Sequence, residues 1–137
     1  MTTEERLAKV ERELAEFREQ LAKGVTAHAV RVRRLVLVDD ADRERAMLEI
    51  GACGPRLRLL DAAGKPRAAL GLGAGEPGLD LFNAAGEERA ELVVDAGEPG
   101  LALFDEAGMA RAGLAMTPAG PVLGLFDAAG RSIWSAP

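Results

Sequence analysis

Residues 101–114 read LALFDEAGMARAGL, and the same arrangement of residue types recurs through most of the chain. Apolar residues alternate with other residues on both sides of Asp105 to Gly108, and a period of two predicts β-strands. The side chain of Asp105 can accept hydrogen bonds from nearby backbone amides, and Gly108 can supply a positive φ. We therefore predict a β-hairpin, two strands joined by a tight turn.

This hairpin pattern recurs every 22 residues along the chain. The repeated positions are the turn acids or amide Asp61, Asn83, Asp105 and Asp127, the glycines Gly64, Gly86, Gly108 and Gly130, and the prolines Pro55, Pro77, Pro99 and Pro121. The first copy diverges, with Asp42 in place of the glycine and Arg33 in place of the proline, as terminal repeats often do. We predict a repeat domain over 33–137, made of hairpin units 33–54, 55–76, 77–98, 99–120 and 121–137.

The N-terminal segment has the start and stop signals of a helix over 2–23. Thr2 and Glu5 form the spacing of a capping box, and Gly24 is suited to a helix stop. The apolar residues follow the 3, 4, 3, 4 spacing of a coiled-coil seam, and they are Leu7, Val10, Leu14, Phe17 and Leu21. We predict a coiled-coil oligomerisation helix over 1–24 and a junction over 25–32, with an amphipathic helix packed on its own chain as the alternative.

Neighbouring charges in the predicted seam favour parallel association of these helices. In a parallel coiled coil, Arg6 would face Glu11 and Glu13 would face Arg18 on neighbouring chains. The seam has Leu rather than a β-branched residue at its first position, a pattern that leans towards three or four strands.

One face of the predicted strands is apolar, and the sequence offers no second helix to cover it. An apolar sheet face must be buried by closure of the sheet or by another layer. We therefore predict a mainly β fold that assembles as an intermolecular β-prism, with a homotrimer favoured over a dimeric sandwich, a single-chain barrel, a solenoid or a higher oligomer. The predicted oligomer interface comprises the helix seam and Leu79, Leu81, Leu101, Leu103, Leu114, Leu123 and Leu125.

Other side chains recur at the same period and suggest roles inside the sheet. A ladder of arginines lies across each hairpin from the turn acids, and it comprises Arg45, Arg67, Arg89 and Arg111. Cross-strand ion pairs are the simpler interpretation, and an anion-binding ridge is the alternative. An apolar stripe on the opposite parity comprises Val38, Leu60, Phe82, Phe104 and Phe126. Packing between sheets or chains explains this stripe, and ligand binding is the alternative.

Composition argues against several functional classes. The net charge of −5 argues against a nucleic-acid partner, although Arg31, Arg33 and Arg34 form a local basic cluster that is either solvated or a binding patch. With His28 and Cys53 each the sole residue of its type, one chain holds neither a metal cluster nor a Cys-His dyad. We expect no enzyme activity, no cofactor, no metal and no membrane segment. A cytoplasmic protein is expected, and a virion component stays open.

The unit Leu-x-Leu-Phe-Asp-x-x-Gly-x-x-Arg-Ala-x-Leu at Leu101 to Leu114 resembles repeats in uncharacterised bacterial proteins that string together Asp-x-x-Gly hairpins. This resemblance covers residues 33–137. The chain is also similar, more loosely, to the trimeric β-prisms of phage tail fibres, which join a coiled coil to repeated strands. These resemblances imply a structural scaffold or shaft, or alternatively a fibre-type module that binds a surface glycan or protein.

Overall fold

The computed structural model describes residues 2–22 and 30–136, without the side chains of residues 20–22. The chain divides into two compact units, Met1–Val32 and Arg33–Pro137.

The first unit contains one helix, α1, which spans Thr3–Ala22. The predicted capping box is present, since Thr2 N donates to Glu5 Oε2 at 2.6 Å and Glu5 N donates to Thr2 Oγ1 at 3.2 Å. The side chains of the predicted seam are between 47% and 59% exposed, and they are Leu7, Val10, Leu14 and Phe17. The side chain of Leu21 and the predicted stop at Gly24 lie outside the described residues. The helix therefore presents an apolar stripe to its surroundings.

The second unit is a single antiparallel sheet in which each strand pairs with the next along the chain. Its strands are β1 (Arg34–Val38), β2 (Glu44–Gly51), β3 (Gly54–Leu60), β4 (Pro66–Gly73), β5 (Glu76–Phe82), β6 (Glu88–Asp95), β7 (Glu98–Phe104), β8 (Ala110–Thr117), β9 (Gly120–Phe126) and β10 (Ser132–Ala136). The mainly β prediction and the consecutive hairpins are confirmed. The sheet is open, because β1 and β10 stand at its two edges.

Two kinds of turn alternate along the sheet. The longer turn contains the predicted Asp or Asn and lies at 39–43, 61–65, 83–87, 105–109 and 127–131. The shorter turn has two residues, as at Ala74-Gly75, where φ is 53° and 92°. Two consecutive positive φ values define the hairpin turn whose twist matches that of the flanking strands. At Ala74-Gly75 and at Ala96-Gly97, the flanking strands therefore leave the turn with the right-handed twist of the sheet.

A β-bulge accompanies each longer turn. The register shifts between Leu81 and Phe82 and between Leu103 and Phe104, with equivalent shifts beside the other longer turns. A bulge places two residues opposite one and increases the local twist. Between the bulges, the interior strands run for seven or eight residues, longer than the five or six that alternation alone predicts.

The sheet has almost no core of its own. Among the described apolar residues, only Met47 at 5% and Ala69 at 6% exposure count as buried. A stable domain normally packs at least two layers around its core. Within the described residues of the Arg33–Pro137 unit, neither face is covered by a second layer.

Candidate interaction surface

A row of nine leucines crosses the sheet from β1 to β9. Residues directly opposite one another on paired strands share a face, and each of these leucines lies opposite the next. The row is Leu35, Leu48, Leu57, Leu70, Leu79, Leu92, Leu101, Leu114 and Leu123. Apart from the half-buried Leu79, their exposure ranges from 37% to 52%. The row is therefore an apolar line open to its surroundings.

Two further apolar rows flank the leucine row on the same side of the sheet. One row alternates large and small residues and comprises Leu37, Ala46, Leu59, Ala68, Leu81, Ala90, Leu103, Ala112, Leu125 and Trp134. The other row comprises Ile50, Pro55, Leu72, Pro77, Val94, Pro99, Met116 and Pro121. We call the three rows together the leucine face. Within β1 to β10 no charged side chain belongs to these rows, and Arg33 lies just before β1 at the proline position of the period.

The leucine face contains every strand residue of the predicted interface, namely Leu79, Leu81, Leu101, Leu103, Leu114, Leu123 and Leu125. It also contains large residues that the sequence analysis did not include, namely Leu35, Leu37, Leu48, Leu57, Leu59, Leu70, Leu72 and Leu92. The 22-residue period would have identified most of them. For example, Leu35, Leu57 and Leu79 occupy one position of the period.

The leucine face is large for an uncovered surface. Neighbouring strands lie about 4.8 Å apart and alternate residues about 6.7 Å apart, so ten strands and three rows cover roughly 45 Å by 20 Å, or about 900 Å². The largest apolar patch on a typical monomer is about 300–600 Å², and a standard interface buries about 800 Å² per partner. The leucine face alone is thus large enough for a stable protein interface.

The opposite face changes its character along the sheet. We call it the variable face, and its middle row reads Val36, Met47, Arg58, Ala69, Asp80, Glu91, Ala102, Gly113, Gly124 and Ser135. The row is basic on β3, acidic on β5 and β6, and made of small residues from β7 to β9.

Two arginines of the variable face form ion pairs within the sheet. Arg58 forms an ion pair with Glu49 and also contacts Met47 Sδ at 3.2 Å. Arg34 pairs with Glu44 at 3.1 Å and with Glu49 at 3.8 Å. This member of the predicted basic cluster is therefore tied to its own sheet.

The acidic part of the variable face brings three carboxylates together. Asp80 lies directly opposite Glu91, and oxygens of Asp80, Glu88 and Glu91 all lie within 4.8 Å of one another. Partial burial, together with the charges of Asp80 and Glu91, raises the pKa of Glu88 above its ordinary value. Among the described residues, these three are the group close enough to share a metal ion through oxygen ligands, the type that hard cations prefer.

The phenylalanine stripe lies on the variable face, and Phe126 shows how it packs there. A Cβ atom built on Gly124 would lie 2.8 Å from Phe126 Cζ, and one on Gly113 would lie 3.9 Å from Phe126 Cε2. The ring therefore lies against Gly124 and reaches towards Gly113, and a side chain at Gly124 would displace it. Sequence alternation identified the parity of Phe126 but not this contact.

The longer turns are fixed by their Asp or Asn side chains, as predicted. In the turn at Asp105, Oδ1 accepts from the backbone N–H of Ala107 at 2.9 Å and of Met109 at 3.0 Å. The turns at Asp39, Asp61, Asn83 and Asp127 repeat the same two bonds. The N–H of Met109 and the guanidinium of Arg111 hold the pKa of Asp105 below its ordinary value. Turn formation accounts for the repeated acids.

The predicted arginine ladder forms ion pairs at two of its four positions. Arg111 lies 3.1 Å from Asp105 and Arg67 lies 3.8 Å from Asp61. Both arginines also reach the following hairpin, where Arg111 Nε donates to Phe126 O at 2.8 Å and Arg67 Nε donates to Phe82 O at 3.0 Å. These arginines therefore link successive hairpins as well as closing their own.

No protein-family model matches the chain, and no curated protein matches it significantly. Within residues 2–22 and 30–136, no helix is long and apolar enough to cross a membrane. What defines the protein structurally is a helix with an exposed apolar stripe and an open antiparallel sheet with one uniformly apolar face.

Proposed function

We propose that this chain is a non-enzymatic, self-associating structural or scaffold protein that buries its leucine face against other copies, with the homotrimer as its assembly. The observation that carries the proposal is the exposed row of nine leucines with an apolar row on each side. Removing apolar surface from water contributes about 25 cal/mol per Å². A second and third copy supply the layer that the sheet lacks.

The dimensions of the leucine face suit three copies better than four. If the strands lie across a common axis, the three apolar rows make each side of the assembly about 20 Å wide. A triangle of that size places its axis about 6 Å from each sheet, close to half of the roughly 10 Å spacing of packed sheets. A square would leave the axis about 10 Å away, too far for leucine side chains to fill the centre.

The α1 seam favours a trimer over a dimeric sandwich. Dimeric coiled coils prefer a β-branched residue at the first seam position and Leu at the second, whereas this seam has Leu7 followed by Val10 and Leu14 followed by Phe17. A helix of 20 residues is marginal alone, so its association depends on the sheets that hold the chains together. In the proposed assembly, a parallel coiled coil precedes five hairpin units that form the β-prism.

Two adjacent residues on β9 provide a matched test. Leu123 lies on the leucine face and is 41% exposed, whereas Val122 lies on the variable face and is 38% exposed. We expect wild-type protein to sediment at three times the 14.4 kDa chain mass at micromolar concentration. Leu123→Lys should dissociate the assembly, because burial of an unpaired charge is costly. Val122→Lys should leave the mass unchanged. A monomeric wild type, or equal effects of the two variants, would contradict the proposal.

The contribution of the helix can be measured in the same way. Leu14 lies in the seam, whereas its neighbour Ala15 lies outside it, and both are exposed in the single chain. Leu14→Lys should weaken the trimer, and Ala15→Lys should not. Equal masses for the two variants would show that the helix takes no part in assembly.

A fibre-type binding module is a second candidate function, and one feature of the variable face favours it. An open depression of about 290 Å³ lies over β6 to β9, with Val93, Val122 and Phe126 among its lining residues. In a prism with the leucine faces inside, this depression faces outwards. A glycan and protein array would test the idea, with Val122→Lys as a variant that keeps the trimer mass but loses any specific binding. Equal signals from both proteins would reject this site.

A further inference from the structure

The sheet makes one kind of strand junction four times. Across the two-residue turns, β2 meets β3, β4 meets β5, β6 meets β7 and β8 meets β9. In every case the two leucines of the central row lie opposite each other, as Leu114 lies opposite Leu123, and the flanking Ala lies opposite Leu, as Ala112 lies opposite Leu125. The junction has a fixed register, and that register keeps the leucine face continuous.

Strands β10 and β1 are the two halves of a fifth junction of this kind. Ala136 lies opposite Leu123 and Trp134 lies opposite Leu125, so β10 occupies the place of an even strand. The first strand has Leu35 in the central row and so occupies the place of an odd strand. Within one chain the two strands stand at opposite edges of the open sheet.

We propose that β10 of one copy pairs antiparallel with β1 of a second copy in the register of the four internal junctions. This register places Ala136 opposite Leu35, Ser135 opposite Val36 and Trp134 opposite Leu37 of the neighbouring copy. The pairing uses the edges of the sheet and not its face, so it goes beyond the proposed function. It joins unlike edges and can continue from copy to copy.

Both edge strands are short, at five residues each, but neither is blocked by proline or by an unpaired charge. Edge strands are normally protected by charged side chains or proline. The β10 sequence, SIWSA, has neither. The one charged residue of β1, Arg34, is paired with Glu44 and Glu49 on its own sheet.

Apolar side chains on both edges would gain neighbours from this pairing. Leu37 is 58% exposed and Trp134 is 49% exposed, although each belongs to a row that continues through the rest of the sheet. In the proposed junction these two side chains lie opposite each other, as Ala112 and Leu125 do inside the sheet. Cross-strand pairs of aromatic and aliphatic residues stabilise a sheet.

A disulfide trap in the full chain tests the register. In a Cys53→Ser background, Val36→Cys and Ser135→Cys place two thiols directly opposite each other in the proposed junction. Within one open sheet these positions are about 43 Å apart, far beyond the roughly 7 Å limit between bridged Cα atoms. After mild oxidation we expect a ladder of covalent multimers on a non-reducing denaturing gel.

A register-shifted pair serves as the matched control. Val36→Cys with Trp134→Cys uses the same edges, but Trp134 points to the other face, so this pair should give no ladder. A ladder from both pairs, or from neither, would overturn the inference. Covalent dimers from either single-cysteine variant would show pairing of like edges and would also overturn it.

A charge exchange provides a second measurement that does not need cysteine. Edge pairing should add mass beyond the trimer as concentration rises above the micromolar range; Val36→Lys with Ser135→Lys should block this growth, whereas Val36→Lys with Ser135→Glu should restore it. Failure of the rescue would reject the pairing. Leu123→Lys, added to the Val36→Cys, Ser135→Cys pair, separates the two proposals. Loss of the trimer with a persistent ladder supports edge pairing that does not need the leucine face. In the pair without Leu123→Lys, a stable trimer that gives no ladder rejects the edge inference alone.

Discussion

The two faces of the sheet differ in how much they change from strand to strand. The leucine face presents leucine in its central row on nine of the ten strands, whereas the variable face passes from Met47 and Arg58 through Asp80 and Glu91 to Gly113. The same residue type at one position of every strand indicates that this position has the same environment on every strand. The leucine face is therefore one continuous surface, while the variable face is a series of local arrangements.

The two faces also differ in whether their side chains find partners on the same sheet. Some charges on the variable face find partners on the same sheet, as Arg58 does with Glu49, whereas Asp80, Glu88 and Glu91 crowd like charges together. The leucine face has no internal partner for its apolar surface, and half-exposed leucines such as Leu92 leave that surface in water. The leucine face is therefore the part of the sheet that the proposed association would cover.

The largest expected effect comes from truncation on the leucine face. Leu92 and Val93 are neighbours on β6 that point to opposite faces. If other copies cover the leucine face, Leu92→Ala should lower the free energy of unfolding by about 2–3 kcal/mol, as for a buried leucine. Val93→Ala should cost about 1 kcal/mol or less. Urea unfolding at one fixed protein concentration measures both, and a loss below about 0.5 kcal/mol for Leu92→Ala would remove the distinction between the faces.

A smaller effect is expected at the longer turns, which belong to neither face. Asp105→Ala removes the acceptor of two backbone bonds and should lower Tm by about 5 °C. Asp105→Asn is the matched control, because Asn83 makes the same two bonds in its own turn. Thermal unfolding followed by circular dichroism measures the difference. Equal losses in the two variants would show that the negative charge, and not the acceptor oxygen, fixes the turn.

The turn carboxylates also predict how stability depends on pH. Backbone N–H donors four residues on are the main cause of the lowered pKa of Asp61, Asp105 and Asp127. A folded-state pKa below the unfolded value contributes stability that is fully present above the unfolded pKa. This stability is lost as pH falls through the folded-state values. Unfolding by urea between pH 7 and pH 3 should show the decline, and Asp105→Asn should reduce its slope; an unchanged slope would contradict the assignment.

The smallest effect is expected in the acidic cluster of the variable face. The raised pKa of Glu88 means that its charged form is disfavoured in the fold, so it lowers stability as pH rises above the ordinary carboxyl range. Glu88→Gln should therefore raise Tm at pH 7 by about 1–2 °C. The gain should vanish in acid, where the wild-type carboxyl is neutral. Glu106→Gln, at an exposed turn position, should change little, and an equal gain there would point to net charge instead.

Much of the fold could be predicted from local chemistry. The capping box at Thr2, the hairpin alternation and the turns at Asp61 and Asp105 depend on residues close in sequence, and the structure has them where expected. The parity that separates Leu81 from Phe82 was likewise readable, because neighbouring residues of a strand point to opposite faces.

The remaining features depend on contacts between strands that alternation does not reveal. Glu88 joins Asp80 and Glu91 beside a bulge, where one extra residue interrupts the period of two. Arg111 reaches Phe126 O because its long side chain spans to the next hairpin, 15 residues on. Prediction of either contact requires the register between paired strands, which the alternation of residues within one strand does not give.

The regular placement of the bulges has a consequence for size. Each longer turn adds its extra residue at the same point of the period, so the register after one pair of strands matches the register after the next. Insertion or removal of 22 residues would lengthen or shorten the sheet by two strands, about 10 Å, without changing its cross-section. Gain or loss of such 22-residue units would thus change the length of the sheet while its width along the strands stays constant.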